Sequence, residues 1–86
     1  MNLDSAETIA LKALAFLANQ EDALVRFLAV SGADMAELRA RAEERAFLAS
    51  VADFLLADEP LLTGFCEAEA VSARDVHQAR HILGGA

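Results

Sequence analysis

Apolar residues recur along this chain at helical spacing from end to end. The densest stretch is Phe47 to Ala57, with large apolar side chains at 47, 48, 51, 54, 55 and 56. That i, i+1, i+4, i+7, i+8 pattern belongs to a helix with a broad buried face. Ala46, Ala49, Ala52 and Ala57 widen it, leaving Ser50, Asp53 and Asp58 to meet water. A helix so apolar needs cover on most sides. The pattern therefore predicts a central helix over about 46–57, with Phe54 in its core contact. Replacing that ring by alanine is expected to cost about 3–5 kcal/mol, as emptying a buried aromatic site does.

The remaining segments read as the cover. Asp4 is placed as the cap of a first helix, with Glu7 in capping-box spacing and Asn19 as a left-handed stop. Ile9, Ala10, Ala13, Phe16 and Leu17 form its inner face, whereas Leu11 and Leu14 fall off that face. A second helix starts around Gln20–Asp22, turns Leu24, Phe27 and Leu28 inward and stops at Gly32. Asp34 and Glu37 have capping-box spacing for a third helix, whose narrow stripe is Met35, Leu38 and Ala42; Glu37 and Arg41 have favourable i, i+4 order. A break before the central helix is placed near Glu44–Arg45. One continuous helix from Met35 to Ala57 is the alternative, since neither Gly nor Pro intervenes.

Asp58-Glu59-Pro60 ends the central helix and opens a fifth, in which Leu61, Leu62, Phe65 and Cys66 point inward as far as Ala70. Ser72 and Asp75 cap a last helix with Val76, Ala79, Ile82 and Leu83 buried and Gly84-Gly85 at its end. A faint repeat joins Leu24-x-x-Phe27 and Gly32-x-Asp34-x-x-Glu37-Leu38 to Leu62-x-x-Phe65 and Ala70-x-Ser72-x-x-Asp75-Val76. Chance explains it as well as duplication does. The fold expected is all-α: a compact orthogonal bundle of five or six short helices in one domain, 1–86.

Composition narrows the function. Seven basic residues against 14 acidic ones give a net charge of −7, which disfavours phosphate backbones and anionic membrane surfaces. No uncharged run approaches the ~20 residues needed to span a bilayer. The single cysteine, Cys66, rules out an internal disulfide and suits a reducing, cytoplasmic setting. Its apolar neighbours make it a core thiol.

Three constellations bear on chemistry. Phe27 to Ala42 has a helix–turn–helix outline, but Glu37, Glu43 and Glu44 offset Arg39, Arg41 and Arg45. His77 and His81, four apart, could share a metal, yet the sequence offers neither a third ligand nor a glutamate base between them. Asp53, Asp58 and Glu59 cluster where a helix cap is needed. We therefore expect neither a catalytic residue, nor a cofactor, nor a metal.

The segments Asp-Phe-Leu-Leu-Ala-Asp-Glu-Pro-Leu-Leu at 53–62, Arg-Phe-Leu-Ala-Val-Ser-Gly at 26–32 and Ala-Arg-His-Ile-Leu-Gly-Gly at 79–85 resemble an uncharacterised family, domain-of-unknown-function family 3572. The resemblance implies a short alphaproteobacterial protein with a link to bacterial signalling. It brings neither an activity nor catalytic residues. Family members often carry Asp-Pro before the segment matching Phe47, which implies a helix break there; this chain has Glu44-Arg45 instead.

High apolar content (56 %) in so short a chain leaves apolar surface for a contact. The expected role is non-catalytic protein–protein interaction, with another protein or as a homodimer, through Leu11 and Leu14. A helix–turn–helix-like transcription-associated domain is the alternative.

Overall fold

The computed structural model describes residues 1–84. It contains six helices: α1 (Leu3–Ala18), α2 (Glu21–Ser31), α3 (Met35–Arg41), α4 (Arg45–Leu56), α5 (Glu59–Glu69) and α6 (Ala73–Leu83). The all-α bundle is as expected, and α3 and α4 are separate. Glu44 adopts an extended backbone (φ −80°, ψ 123°), and its N–H reaches back to the Arg41 carbonyl at 2.9 Å. The chain thus breaks with neither Gly nor Pro.

The helix ends follow from local chemistry. Asp34 with Glu37, and Ser72 with Asp75, form complete capping boxes. Asp58 caps α5 by accepting the Leu61 N–H at 3.2 Å. Gly32, at φ 72°, ends α2 in the left-handed region. At α1 the cap is Asn2, not Asp4: the Asn2 amide oxygen accepts the Ser5 N–H at 2.8 Å, which leaves Asp4 in the first turn beside the helix dipole. Asn19 is also not left-handed (φ −97°); its amide donates back to the Ala15 carbonyl. Gly84 follows α6 as expected, while Gly85 lies outside the described residues.

Ala70 ends α5 at φ 54°, a conformation in which a Cβ is strained. Ala70→Gly is expected to stabilise the fold by about 0.5–1 kcal/mol, the relief of that strain less the entropy a glycine adds to the unfolded chain. A denaturant melt showing no gain would place Ala70 outside the left-handed region in solution.

The interior has two parts. Phe27, Phe47, Val51, Leu55, Phe65 and Val76 dominate the larger one, together with Leu17. Ala6, Ala10, Leu48, Ala49, Ala79 and Leu83 form the smaller one, where α1, α4 and α6 pack most extensively. The alanines explain that closeness, since helices approach until their side chains touch. α4 carries the most buried residues, so it is central, but it shares the centre with α1 and α6. Two details differ from expectation. Phe54 is half-buried, its ring edge-on to Phe27 and 5.5 Å from the Arg26 guanidinium. Ala46 and Ala57 face water.

The faint repeat extends from the sequence matches to the interior helix boundaries. α1 and α4 end at 18 and 56, α2 and α5 span 21–31 and 59–69, and α3 and α6 begin at 35 and 73, all at a constant offset of 38. Gln20 and Asp58 are the corresponding N-caps, Gly32 and Ala70 the two left-handed stops, Asp34 and Ser72 the two box caps. Phe16-Leu17, Glu21, Leu24 and Phe27 recur as Phe54-Leu55, Glu59, Leu62 and Phe65. Burial repeats too: Leu17 and Leu55, Phe27 and Phe65, Leu38 and Val76 are all core residues. The two halves share one three-helix plan between 18 and 35 and between 56 and 73, but α1 starts at 3 and α4 at 45, and α3 ends at 41 and α6 at 83, so their outer ends do not correspond.

Candidate functional site

The two units differ most in how their last helix packs. α6 packs extensively on α4 within its own unit and on α1 of the other, whereas its counterpart α3 packs extensively on no helix. The cause is in the side chains. Where α4 offers Ala49 and Ala52 to α6, α1 has Leu11 and Leu14 at the corresponding positions. Where α6 buries Ala79 completely, α3 has Arg41. A guanidinium cannot enter that contact without losing its hydration. Instead Arg41 lies over the Phe47 ring at 4.8 Å and pairs with Glu44 at 3.5 Å. The expected Glu37–Arg41 pair does not form. Leu38 alone anchors α3 in the core, and Met35, expected beside it, stands exposed.

α3 is thereby held off α1, and an open groove of about 430 Å³ runs between them. Leu11, Leu14, Ala15 and Ala18 line one wall. Met35, Leu38, Arg39 and Ala42 line the other. Leu11 is 44 % exposed and Met35 55 %, so the walls present carbon and sulfur to water. Leu11 and Leu14 both line this groove, Leu11 exposed but Leu14 half-buried against the main core, together with Met35 and Arg39, which spacing does not assign to it. Spacing alone gave α3 an inward stripe; only the packing shows that α3 does not close.

Arg39 is the only charged side chain in the lining. Among the described residues it forms no ion pair, unlike Arg26, Arg41 and Arg80, which hold Asp58, Glu44 and Asp53. Glu7, half-buried one helical turn before Leu11, and Asp4, a turn earlier, also lack a charged partner among the described residues.

The other constellations are placed elsewhere. Asp58 caps α5 and accepts the Arg26 guanidinium at 3.0 Å, tying α2 to α5. The Leu61 N–H first, and the Arg26 contact second, hold its carboxyl below the ordinary 3.8. A folded-state value below the unfolded one stabilises the fold above the unfolded pKa, and that contribution is lost as pH falls through the folded one. Asp58→Asn is therefore expected to be less stable than the parent at neutral pH, with the difference closing below pH 3.8. A difference independent of pH would contradict the role. Asp53 pairs with Arg80 across α4 and α6, and Glu59 sits in the first turn of α5. Burial, then Asp75 and Glu67, push the Cys66 thiol up, which disfavours its thiolate.

His77 and His81 are exposed on one face of α6, beside Met1 and Ile82. Among the described residues no three His, Cys, Asp or Glu side chains gather as a metal site. Zinc titration is expected to give at most weak binding. A sub-micromolar site abolished by His81→Ala would overturn that expectation.

Comparison with known proteins fits this fold without assigning it a task. Residues 3–86 match the family described as "Protein of unknown function (DUF3572)". The chain belongs to that family. The match covers both three-helix units, so the groove in question lies on a DUF3572 domain. No curated protein and no solved structure matches the chain. No helix among the described residues is long and apolar enough to cross a membrane.

Proposed function

We propose that this DUF3572 chain is a non-catalytic protein–protein interaction module whose contact surface is the groove between α1 and α3. The observation that carries the reading is the broken repeat: one unit closes its first and third helices together, and the other leaves the equivalent surface open and apolar. What that surface offers a ligand is aliphatic and thioether carbon with a single guanidinium. Such a surface suits a folded partner's apolar face. A cytoplasmic setting belongs to the same proposal and draws on Cys66 remaining a thiol. A link to bacterial signalling rests on the family resemblance alone.

A photo-crosslinking side chain at position 11, compared with one at exposed position 74, tests the reading in the native cell. Discrete protein adducts are expected from position 11 and not from 74. No adduct from 11, or the same adducts from both, would overturn it. The helix–turn–helix alternative retains its outline in α2 and α3, but Arg41 is engaged with Phe47 and Glu44. Duplex DNA is accordingly expected to give no salt-dependent binding.

A further inference from the structure

We infer that the helix seated in this groove is α1 of a second copy of the chain, in a two-fold antiparallel pair centred near Leu11. The inference rests on the reading of the groove as a protein-docking surface and commits it to one occupant. Its first support is shape. The groove lies where the other unit makes a helix–helix contact, and the outward side of α1 carries Leu11, Ala15 and Ala18 as an exposed apolar stripe beside the polar Thr8 and Lys12. The two alanines let a second helix approach closely, and Leu11 of each copy is the knob that enters the other's groove.

The second support is charge. Asp4 and Glu7 lie toward the N-terminal end of α1, and Arg39 of α3 lies beside the segment Leu11–Ala18. Antiparallel pairing about Leu11 places residue 7 of one copy opposite residue 15 of the other. The acidic turns of each α1 then fall toward Arg39 of the partner copy, twice over by symmetry. These three side chains have no charged partner within the described chain. A parallel pair would instead set Asp4 and Glu7 against their own copies. A foreign helix could match the apolar wall equally well; what favours the second copy is that Asp4 and Glu7 lie on the same helix as Leu11, at the distance from it that reaches Arg39 of the partner copy.

Complementing charge reversals provide the test. Sedimentation of the purified chain is carried out from micromolar to near-millimolar concentration at physiological salt, where the ~8 Å Debye length screens the net repulsion of two acidic molecules. The parent chain is expected to dimerise. Arg39→Glu alone, and Asp4→Lys with Glu7→Lys in one chain, are each expected to weaken association at least tenfold. Mixing the two variants is expected to restore it, because both sets of contacts in the mixed dimer then join opposite charges. Circular dichroism melts confirm that each variant is folded; if the double lysine variant is not, Glu7→Lys alone takes its place.

A parent chain that stays monomeric, or a mixture that fails to recover, overturns the second copy as occupant. The groove reading survives that result if position 11 still crosslinks to a different protein, so the two failures are distinguishable. A dimer indifferent to Leu11→Glu would overturn the inference by locating self-association on another surface.

Discussion

Phe27→Ala is expected to remove about 3–5 kcal/mol of stability, the cost of emptying a fully buried aromatic site. For a chain this long the total is only about 4–13 kcal/mol, so most of the folded population is at stake. Phe27 is 1 % exposed and meets two rings edge-on, Phe47 at 5.7 Å and Phe54 at 5.3 Å between centroids. Truncation loses the transfer energy of the ring and both aromatic contacts, and it leaves a void between α2 and α4. The comparison with Phe54→Ala is the informative part. Phe54 keeps contact with Phe27 and Arg26 but stays half-buried, so its loss is expected to cost about 1–2 kcal/mol. Urea melts of the two variants, side by side, check the order. Equal losses would mean that the α4 face carrying Phe54 is covered in solution.

Ala79→Leu is expected to destabilise by about 1–3 kcal/mol through overpacking. Ala79 is fully buried where α6 meets α1 and α4, among Ala6, Ala10 and Ala49. Little there can move aside cheaply: Ala6, Ala10 and Ala49 are short side chains on helices that already touch, and Leu48 and Leu83 beside them are themselves buried. A leucine would push α6 outward, toward the separation that α3 adopts in the other unit. The control is Ala40→Leu, exposed on α3, where a change within about 0.5 kcal/mol is expected. Chemical denaturation of both variants checks the pair. A tolerated leucine at 79 would show that the α1–α4–α6 contact is loose, and would remove the steric account of why only one unit closes.

Local signals were legible in the sequence because local chemistry sets them. The capping boxes at Asp34 and Ser72, the stop at Gly32 and the cap at Asp58 need only neighbours three or four residues away, and all form as read. The inward set Phe27, Phe47, Leu55 and Phe65 followed from period alone. The start of α1 departs from its expected position because Asn2 and Asp4 are both competent caps, and the choice between them depends on where the helix begins. Leu11 and Leu14 were singled out by their departure from the inner face, which is a statement about angle around one helix.

Tertiary structure decided what angle could not. Spacing placed Ala10, Ala49 and Ala79 on inner faces, but that they meet one another, with Ala6, in one tight seam emerged only from three helices meeting. Phe54 satisfies the period of α4 but lies at the margin of its buried arc, where Phe27 and Arg26 of α2 cover only part of its ring. In sequence the repeat shows as scattered matches; that they share one register is seen only in the interior helix boundaries. The groove is the furthest from sequence. It exists because Leu11 and Arg41 stand where the other unit has Ala49 and Ala79, so the same backbone plan closes once and stays open once. Helical period fixes which side a residue faces, whereas the distance between two helices is set by the sizes of the side chains that meet.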